Sequence, residues 1–334
     1  MRRINLGLLA VLFLTMMVSV ADSQAAPYYQ GKTIRLIVGN SPGGGYDRLA
    51  RLFAKYLPKY IPGKPAVIVE NMPGGATIVA ANYVYRVAKA DGLVLGALGR
   101  GLPFAQLLKA EGVKFDMARF TWIGSAAVES TVLVLRTDLP YKNANELLKA
   151  ASPVVIGTTG PAESSHQFAT LLKEFLGANL KLISYLSGNE INLALERKEV
   201  DGRASSFSGI KPFIERGLVR PVIRSRVVEP GVENLPVDED LVADKTGKTL
   251  MSLRSAPEKM GRPYVASPKT PPELTKILRA AFAKVANDPE VKEEARKMKM
   301  QVEHVSGDEC LKIANYILNQ PESMVKEVSK YIKF

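Results

Sequence analysis

The sequence predicts an α/β protein with two mainly parallel sheets and a helical C-terminus. Three observations carry that expectation. Short apolar runs alternate with segments of helical period from residue 34 onward, which is the pattern of parallel strands joined by crossover helices. The alternation lapses into irregular sequence over 109–119 and resumes at Thr121, so two sheets fit better than one. A length of 334 residues suits two domains at about 150 residues each. The first domain is expected at 26–127 and 225–334, the second at 128–224, with chain crossings near 126–129 and 224–227.

In chain order, residues 1–25 stand apart. Arg2 and Arg3 precede an almost wholly apolar stretch over 6–20, and Ser23, Gln24 and Ala25 offer the small residues a signal peptidase reads. An export signal cut near Ala25/Ala26 is expected, and with it a periplasmic protein. This 15-residue stretch falls short of the roughly 20 apolar residues that span a bilayer. Strands are expected at 34–38, 67–69, 93–98, 154–156, 180–185 and 219–223, where β-branched residues and leucines run together. Helices follow from the spacing of Leu49, Leu52, Phe53, Tyr56 and Leu57, of Phe168, Leu171, Leu172, Phe175 and Leu176, and of Leu274, Ile277, Leu278, Ala281 and Phe282. Pro271 and Pro272 suit the first turn of the last of these. The charged stretch 224–249, with Pro230 and Pro236, reads as a long connection.

Composition removes several function classes. A single cysteine, Cys310, allows no internal disulfide, and with only His166 and His304 beside it no zinc or iron–sulfur cluster can be assembled. No cofactor is expected. Without Arg2, Arg3 and Asp22, a formal net charge of +11 remains of the whole chain's +12, which favours an anionic partner. The basic residues are interspersed with acidic ones and form no Lys/Arg run with stacking aromatics, so nucleic acid is not expected.

The chemistry concentrates in two loops. Ser41, Pro42, Gly43, Gly44, Gly45, Tyr46 and Asp47 lie directly after one strand and before an amphipathic helix. Glycines there let the backbone approach a ligand, and the helix start supplies free N–H donors. Arg48 stands where a dinucleotide fingerprint needs its third glycine, and no Gly-Lys-Ser/Thr of a P-loop follows. Asn71, Met72, Pro73, Gly74, Gly75, Ala76 and Thr77 repeat the design after the second strand. Both turns fall on the C-terminal edge of a parallel sheet, where such folds bind ligands. Arg100 and Arg203 each carry a guanidinium able to pair a carboxylate side-on; solvation, or Asp201 as partner of Arg203, is the plainer alternative. Ser164, Ser165 and His166 either cap the helix that follows or face a ligand, and Ser205 and Ser206 are equally open.

These segments resemble the Bug-type periplasmic solute receptors of tripartite tricarboxylate transporters. The resemblance runs through Pro-Gly-Gly-Gly-Tyr-Asp at 42–47, Val-Glu-Asn-Met-Pro-Gly-Gly-Ala at 69–76 and Ala-Asp-Gly at 90–92. It continues through Gly157, Thr158, Thr159 and Gly160 to Ser164, Ser165 and His166, then Tyr185, Ser187, Gly188 and 199–202. It implies a two-domain, type II-like Venus-flytrap binding protein that captures a small carboxylate between its domains and delivers it to integral membrane permease subunits. It also implies no catalytic residue and a monomer. The implied ligand residues are Ser41, Gly43, Gly44, Gly45, Tyr46, Asp47, Gly74, Gly75 and Ala76 on one side. Arg100, Thr158, Thr159, Ser164, Ser165, His166, Tyr185, Asp201 and Arg203 complete the set. The chain departs from the family pattern at Pro161-Ala162-Glu163, where such receptors carry another Gly-rich turn, and at Arg203, where they carry an uncharged residue. The competing class is a secreted α/β hydrolase. It lacks a Gly-x-Ser-x-Gly elbow here, and neither histidine has an acid partner in sequence.

Overall fold

The structure is a computed structural model that describes residues 26–161 and 163–332. The expected export signal lies outside the described residues. The first part of the chain forms β1 (Thr33–Val38), α1 (Gly45–Tyr60), β2 (Ala66–Asn71), α2 (Ile78–Arg86), β3 (Val94–Ala97), α3 (Leu102–Leu107) and β4 (Thr121–Ser125). Next come β5 (Thr131–Arg136), α4 (Ala144–Leu148), β6 (Val154–Thr158), α5 (Ser164–Leu176), β7 (Leu180–Ser184), α6 (Gly188–Glu196), β8 (Gly202–Ser206), α7 (Phe207–Glu215) and β9 (Val219–Arg224). The remainder is α8 (Asp238–Leu241), α9 (Lys245–Ser255), β10 (Pro263–Ala266), α10 (Pro272–Asn287), α11 (Pro289–Lys297), β11 (Val305–Ser306), α12 (Gly307–Leu318) and α13 (Glu322–Tyr331).

Two sheets result, in the orders β11-β4-β10-β3-β1-β2 and β7-β6-β8-β5-β9. Each contains a parallel block, β2-β1-β3 in one and β7-β6-β8 in the other. Each is also mixed, because a strand is inserted antiparallel: β10 between β3 and β4, and β5 between β8 and β9; in the first sheet the two-residue edge strand β11 also runs antiparallel to β4. The reason is where the chain enters. The start of β5 pairs with the end of β8, Thr131 opposite Ser206, and Leu98, just past β3, donates its N–H to the Pro263 carbonyl at the start of β10. Both inserted strands therefore begin at the C-terminal edge of the parallel block, and that edge is where the chain passes between sheets.

Apolar side chains on both faces hold the sheets. Phe53 of α1 and Tyr264 of β10 each pack on Phe282 of α10, with ring centroids 4.8 and 4.9 Å apart. Burying one such side chain contributes about 1.5–3 kcal/mol. In the other sheet Leu133, Leu135 and Ile156 are sealed beneath Phe168, Leu171 and Leu172 of α5.

The chain beyond β9 differs from the simple return expected at 225. α9 packs on α5, beside the second sheet. The crossing back runs through 256–262, next to the first crossing: Glu129 N–H donates to the Glu258 carbonyl and Ala126 N–H to the Arg262 carbonyl, both at 3.0 Å. The C-terminus also spans both sheets. α12 packs on β4, whereas α13 reaches α5, where Tyr331 meets Phe175 at 4.8 Å between ring centroids.

Candidate ligand cleft

A cleft of about 810 Å³ opens between the C-terminal edges of the two parallel blocks and is lined from both sheets. Of the residues anticipated, Ser41, Gly44, Gly45, Tyr46, Gly74, Gly75, Ala76 and Arg100 line it from the first sheet. Thr159, Ser164, Ser165, Tyr185 and Arg203 line it from the second.

The first loop is built from within. Gly43 takes a left-handed φ of 81°, which favours glycine. Its N–H donates to Asp47 Oδ2 at 2.8 Å, while Asn71 Nδ2 donates to Asp47 Oδ1 at 2.8 Å and Arg51 Nε to Oδ2 at 2.9 Å. Gly43 and Asp47 thus spend their polar groups on shaping the turn and do not line the cleft. Burial would push the Asp47 pKa up, but these three bonds outweigh it and the carboxyl ends below its ordinary value. The backbone of Gly44, Gly45 and Tyr46 opens α1, whose first amides have no intrahelical acceptor. The Tyr46 hydroxyl donates to the Gly261 carbonyl at 3.2 Å and accepts from Arg100 N–H at 3.1 Å.

The second loop is a left-handed turn. Gly74, Gly75, Ala76 and Thr77 have φ of 142°, 52°, 49° and 75° in succession, and a non-glycine residue so placed costs on the order of 1–3 kcal/mol. Thr77 is the anchor that holds it. Its buried side chain is wedged between Gly39 and Gly99, where added Cβ atoms would stand 2.6 and 2.8 Å from it, and Gly99 N–H donates to Thr77 Oγ1 at 3.0 Å. The strained turn is thereby held in the cleft lining.

Three guanidinium groups reach the same space. Arg100, 5% exposed, donates through Nη2 to Thr131 Oγ1 at 2.9 Å, and its buried Nη1 has no partner. Arg203, 6% exposed, donates through Nη1 to the Gly188 carbonyl at 2.9 Å and to Asn192 Oδ1, leaving a buried Nε without a partner. Burial pulls the Arg203 pKa down to about 10, so it stays charged at neutral pH. Arg262 was not anticipated. Its Nε donates to Glu129 Oε1 at 2.9 Å, its Nη2 to Ser206 Oγ at 3.2 Å, and its plane lies 4.2 Å from the Tyr46 ring centroid. Its carboxylate partner is supplied internally, whereas Arg100 and Arg203 have none among the described residues.

The remaining expected residues sit behind the cleft. Thr158 is fully buried, and its Oγ1 lies 2.8 Å from His166 Nδ1, so the two satisfy each other. Burial lowers the His166 pKa and keeps the ring neutral at pH 7. Asp201 belongs to the opposite end of β8, where it accepts from Val155 N–H at 2.9 Å and pairs with Arg136 at 3.5 Å; it is not the partner of Arg203. Glu163, Asn189, Asn192, Ser205 and Ser206 join the lining unforeseen or undecided. Among the described residues no group of three His, Cys, Asp or Glu side chains is placed to hold a metal ion.

The sequence profile of the tripartite tricarboxylate transporter family receptor matches residues 49–329. The chain belongs to that receptor family. UPF0065 proteins of Bordetella pertussis and Agrobacterium vitis are each 31% identical to it, over 54% and 52% of this chain and 56% and 54% of theirs. The match thus spans about half the length of these curated relatives. In three dimensions this family member is similar to the periplasmic binding protein BugD, with a TM-score of 0.74 at 21% identity over 91% of this chain and 98% of that one. It is similar also to MatC of Rhodopseudomonas palustris, solved with malate, with a TM-score of 0.70 at 17% identity over 88% and 99% of the two chains. A second R. palustris protein, solved with adipate, gives 0.72 at 19% identity over 90% and 98%. The α/β binding-protein fold is shared with all three.

Proposed function

We propose that the chain is a periplasmic receptor that captures a small dicarboxylate in the cleft and presents it to membrane permease subunits, with no chemical step. One observation carries the reading: two buried arginines on opposite sheets, Arg100 and Arg203, each keep a guanidinium donor unpartnered at one cleft. Buried donors without acceptors are rare and costly, and a ligand carboxylate on each satisfies both. The strained loop 74–77 and the start of α1 add backbone donors. Binding of malate and adipate by structural neighbours fits the same class. Among the described residues no helix is long and apolar enough to cross a membrane, and the signal-like segment 1–25 supports export. Closure by rotation about the paired crossings at 126–130 and 256–262 would bring the two arginines together on the ligand.

The test compares a diacid with its monoacid analogue, adipate with hexanoate, by calorimetry on wild type and Arg203→Ala. The loss of one charge-assisted bond, about 1.5–3 kcal/mol, is expected for the diacid with much less for the monoacid. Equal losses would assign Arg203 a structural role. Absence of binding by any small acid would remove the receptor reading.

A further inference from the structure

The bond that holds Arg100 is the first link of a buried chain that leads away from the cleft to the crossings. Arg100 Nη2 donates to Thr131 Oγ1 at 2.9 Å. Thr131 is fully buried and opens a strand that continues Val-Leu-Val-Leu, so packing alone would be served by another valine. Its main chain is clamped on both sides by Ser225: Thr131 N–H donates to Ser225 Oγ at 2.9 Å, and Ser225 N–H donates to the Thr131 carbonyl at 2.8 Å. A hydroxyl has one proton to give, and Thr131 gives it to Glu258 Oε1. The same oxygen accepts from Arg254 Nη1 at 2.7 Å. Arg254 is fixed in turn, with Asp238 at 3.4 Å and the Phe168 ring centroid 4.9 Å from its guanidinium.

The direction of this chain follows from its two ends. An ion-paired carboxylate accepts only and a guanidinium donates only, so the Thr131 proton points to Glu258 and a lone pair of its oxygen faces Arg100. We infer that Thr131 is the positioning residue of Arg100 and that Glu258 sets its proton, the two together keeping Nη2 occupied and Nη1 free for a ligand carboxylate. This rests on the reading of Arg100 as a ligand group. Glu258 also takes the Glu129 N–H on its carbonyl where the two crossings meet, so the guanidinium is held at a fixed place relative to the pivot of the proposed closure.

The test titrates succinate, malate and adipate calorimetrically at pH 7 into wild type, Thr131→Val, Thr131→Ser, Arg100→Ala and the double variant Arg100→Ala/Thr131→Val, with folding checked by melting temperature. Thr131→Val is expected to weaken the tightest of the three acids by about tenfold, and Thr131→Ser, which restores the hydroxyl, to bind within about threefold of wild type. With Arg100 absent the valine has nothing left to misplace, so Thr131→Val is expected to add no further loss. A merely structural threonine would cost the same affinity with or without Arg100. The side-chain ¹⁵N signals of Arg100 in ligand-free wild type need no variant: a guanidinium held by Thr131 is expected to show separate Nη1 and Nη2 signals, and one averaged signal would overturn the inference. Wild-type affinity in Thr131→Val, failure of serine to restore binding, or equal losses in both backgrounds would overturn it too and leave the receptor reading standing. Wild type binding none of the three acids would overturn the diacid reading and this inference with it.

Discussion

Gly45 carries no side chain where Arg262 needs the room. A Cβ there would stand 2.8 Å from Arg262 Nη2 and 3.3 Å from Cζ, whereas at Gly44 the nearest atom would be the Ser41 carbonyl oxygen at an ordinary 3.7 Å. A valine at Gly45 must therefore push the guanidinium off the Tyr46 ring and away from Ser206. The guanidinium is the end of a flexible side chain, so the fold should survive the move. Gly45→Val is expected to weaken binding of the tightest diacid at least tenfold, about 1.4 kcal/mol, with Gly44→Ala costing much less. Calorimetry on folded variants checks it, and equal affinities would detach Arg262 from binding. In the sequence the three glycines read as one cradle; their separate jobs were hidden because spacing alone does not show which side chain each one serves. Gly43 answers to Asp47, four residues on, and Gly45 to Arg262, far along the chain. Arg262 itself gave no signal, since a lone arginine before a four-residue strand looks like any surface charge.

At the scale of elements, hydropathy revealed the strands that are covered on both faces and missed those that carry the site. β1, β3 and β6 read as largely apolar runs because helices close both sides of a parallel block. β8 is Gly202, Arg203, Ala204, Ser205 and Ser206, four of them buried, and its polarity is what makes it part of the cleft wall. The crossings were equally opaque, because their stability rests on buried polar groups. Ser130 N–H donates to Glu229, Thr131 Oγ1 to Glu258, and Arg254 pairs with Glu258 at 2.7 Å and with Asp238 at 3.4 Å. Burial, and then the charge of Glu129, pushes the Glu229 carboxyl up from 4.5 to about 8; burial raises Asp238 from 3.8 to about 7 although Arg254 pulls it back. A raised carboxyl pKa means that the folded state holds a proton the unfolded chain has released, so stability falls as pH rises through that window. His166 and His304, lowered by burial, act in the opposite sense below their ordinary 6.5. Above 6.5 the carboxyls act without them. The melting temperature should therefore fall between pH 6.5 and 8, and Glu229→Gln should flatten the slope. A melting temperature that rises across that window would refute a neutral Glu229.

At the scale of the whole molecule, the proposed closure of one sheet on the other needs a chain that is not torn by the motion, and the C-terminus, attached to both sheets, is exposed to that demand. α12 is fixed to β4 in the first sheet and α13 to α5 in the second. The hold on the second sheet is local: Phe175 of α5 packs on Tyr331 from one side, and on the other Gly247 of α9 leaves space that a Cβ, at 2.5 Å, would close. Val328 and Ile332 are buried in the same cluster. Opening the cleft must carry α13 along with the second sheet, bending the chain at 319–321, or slide it off Phe175. The ring pair alone is worth about 0.5–1.5 kcal/mol beyond its buried area, enough to bias the open form toward a limited set of angles. Tyr331→Ala should then lower the melting temperature by a few degrees and enlarge the ligand-free radius of gyration in small-angle scattering, while ligand-saturated radii of variant and wild type coincide. The comparison separates a strap from a simple packing contact. Loss of stability with identical ligand-free radii would mean that α13 rides with the second sheet through the whole motion and sets no limit on it.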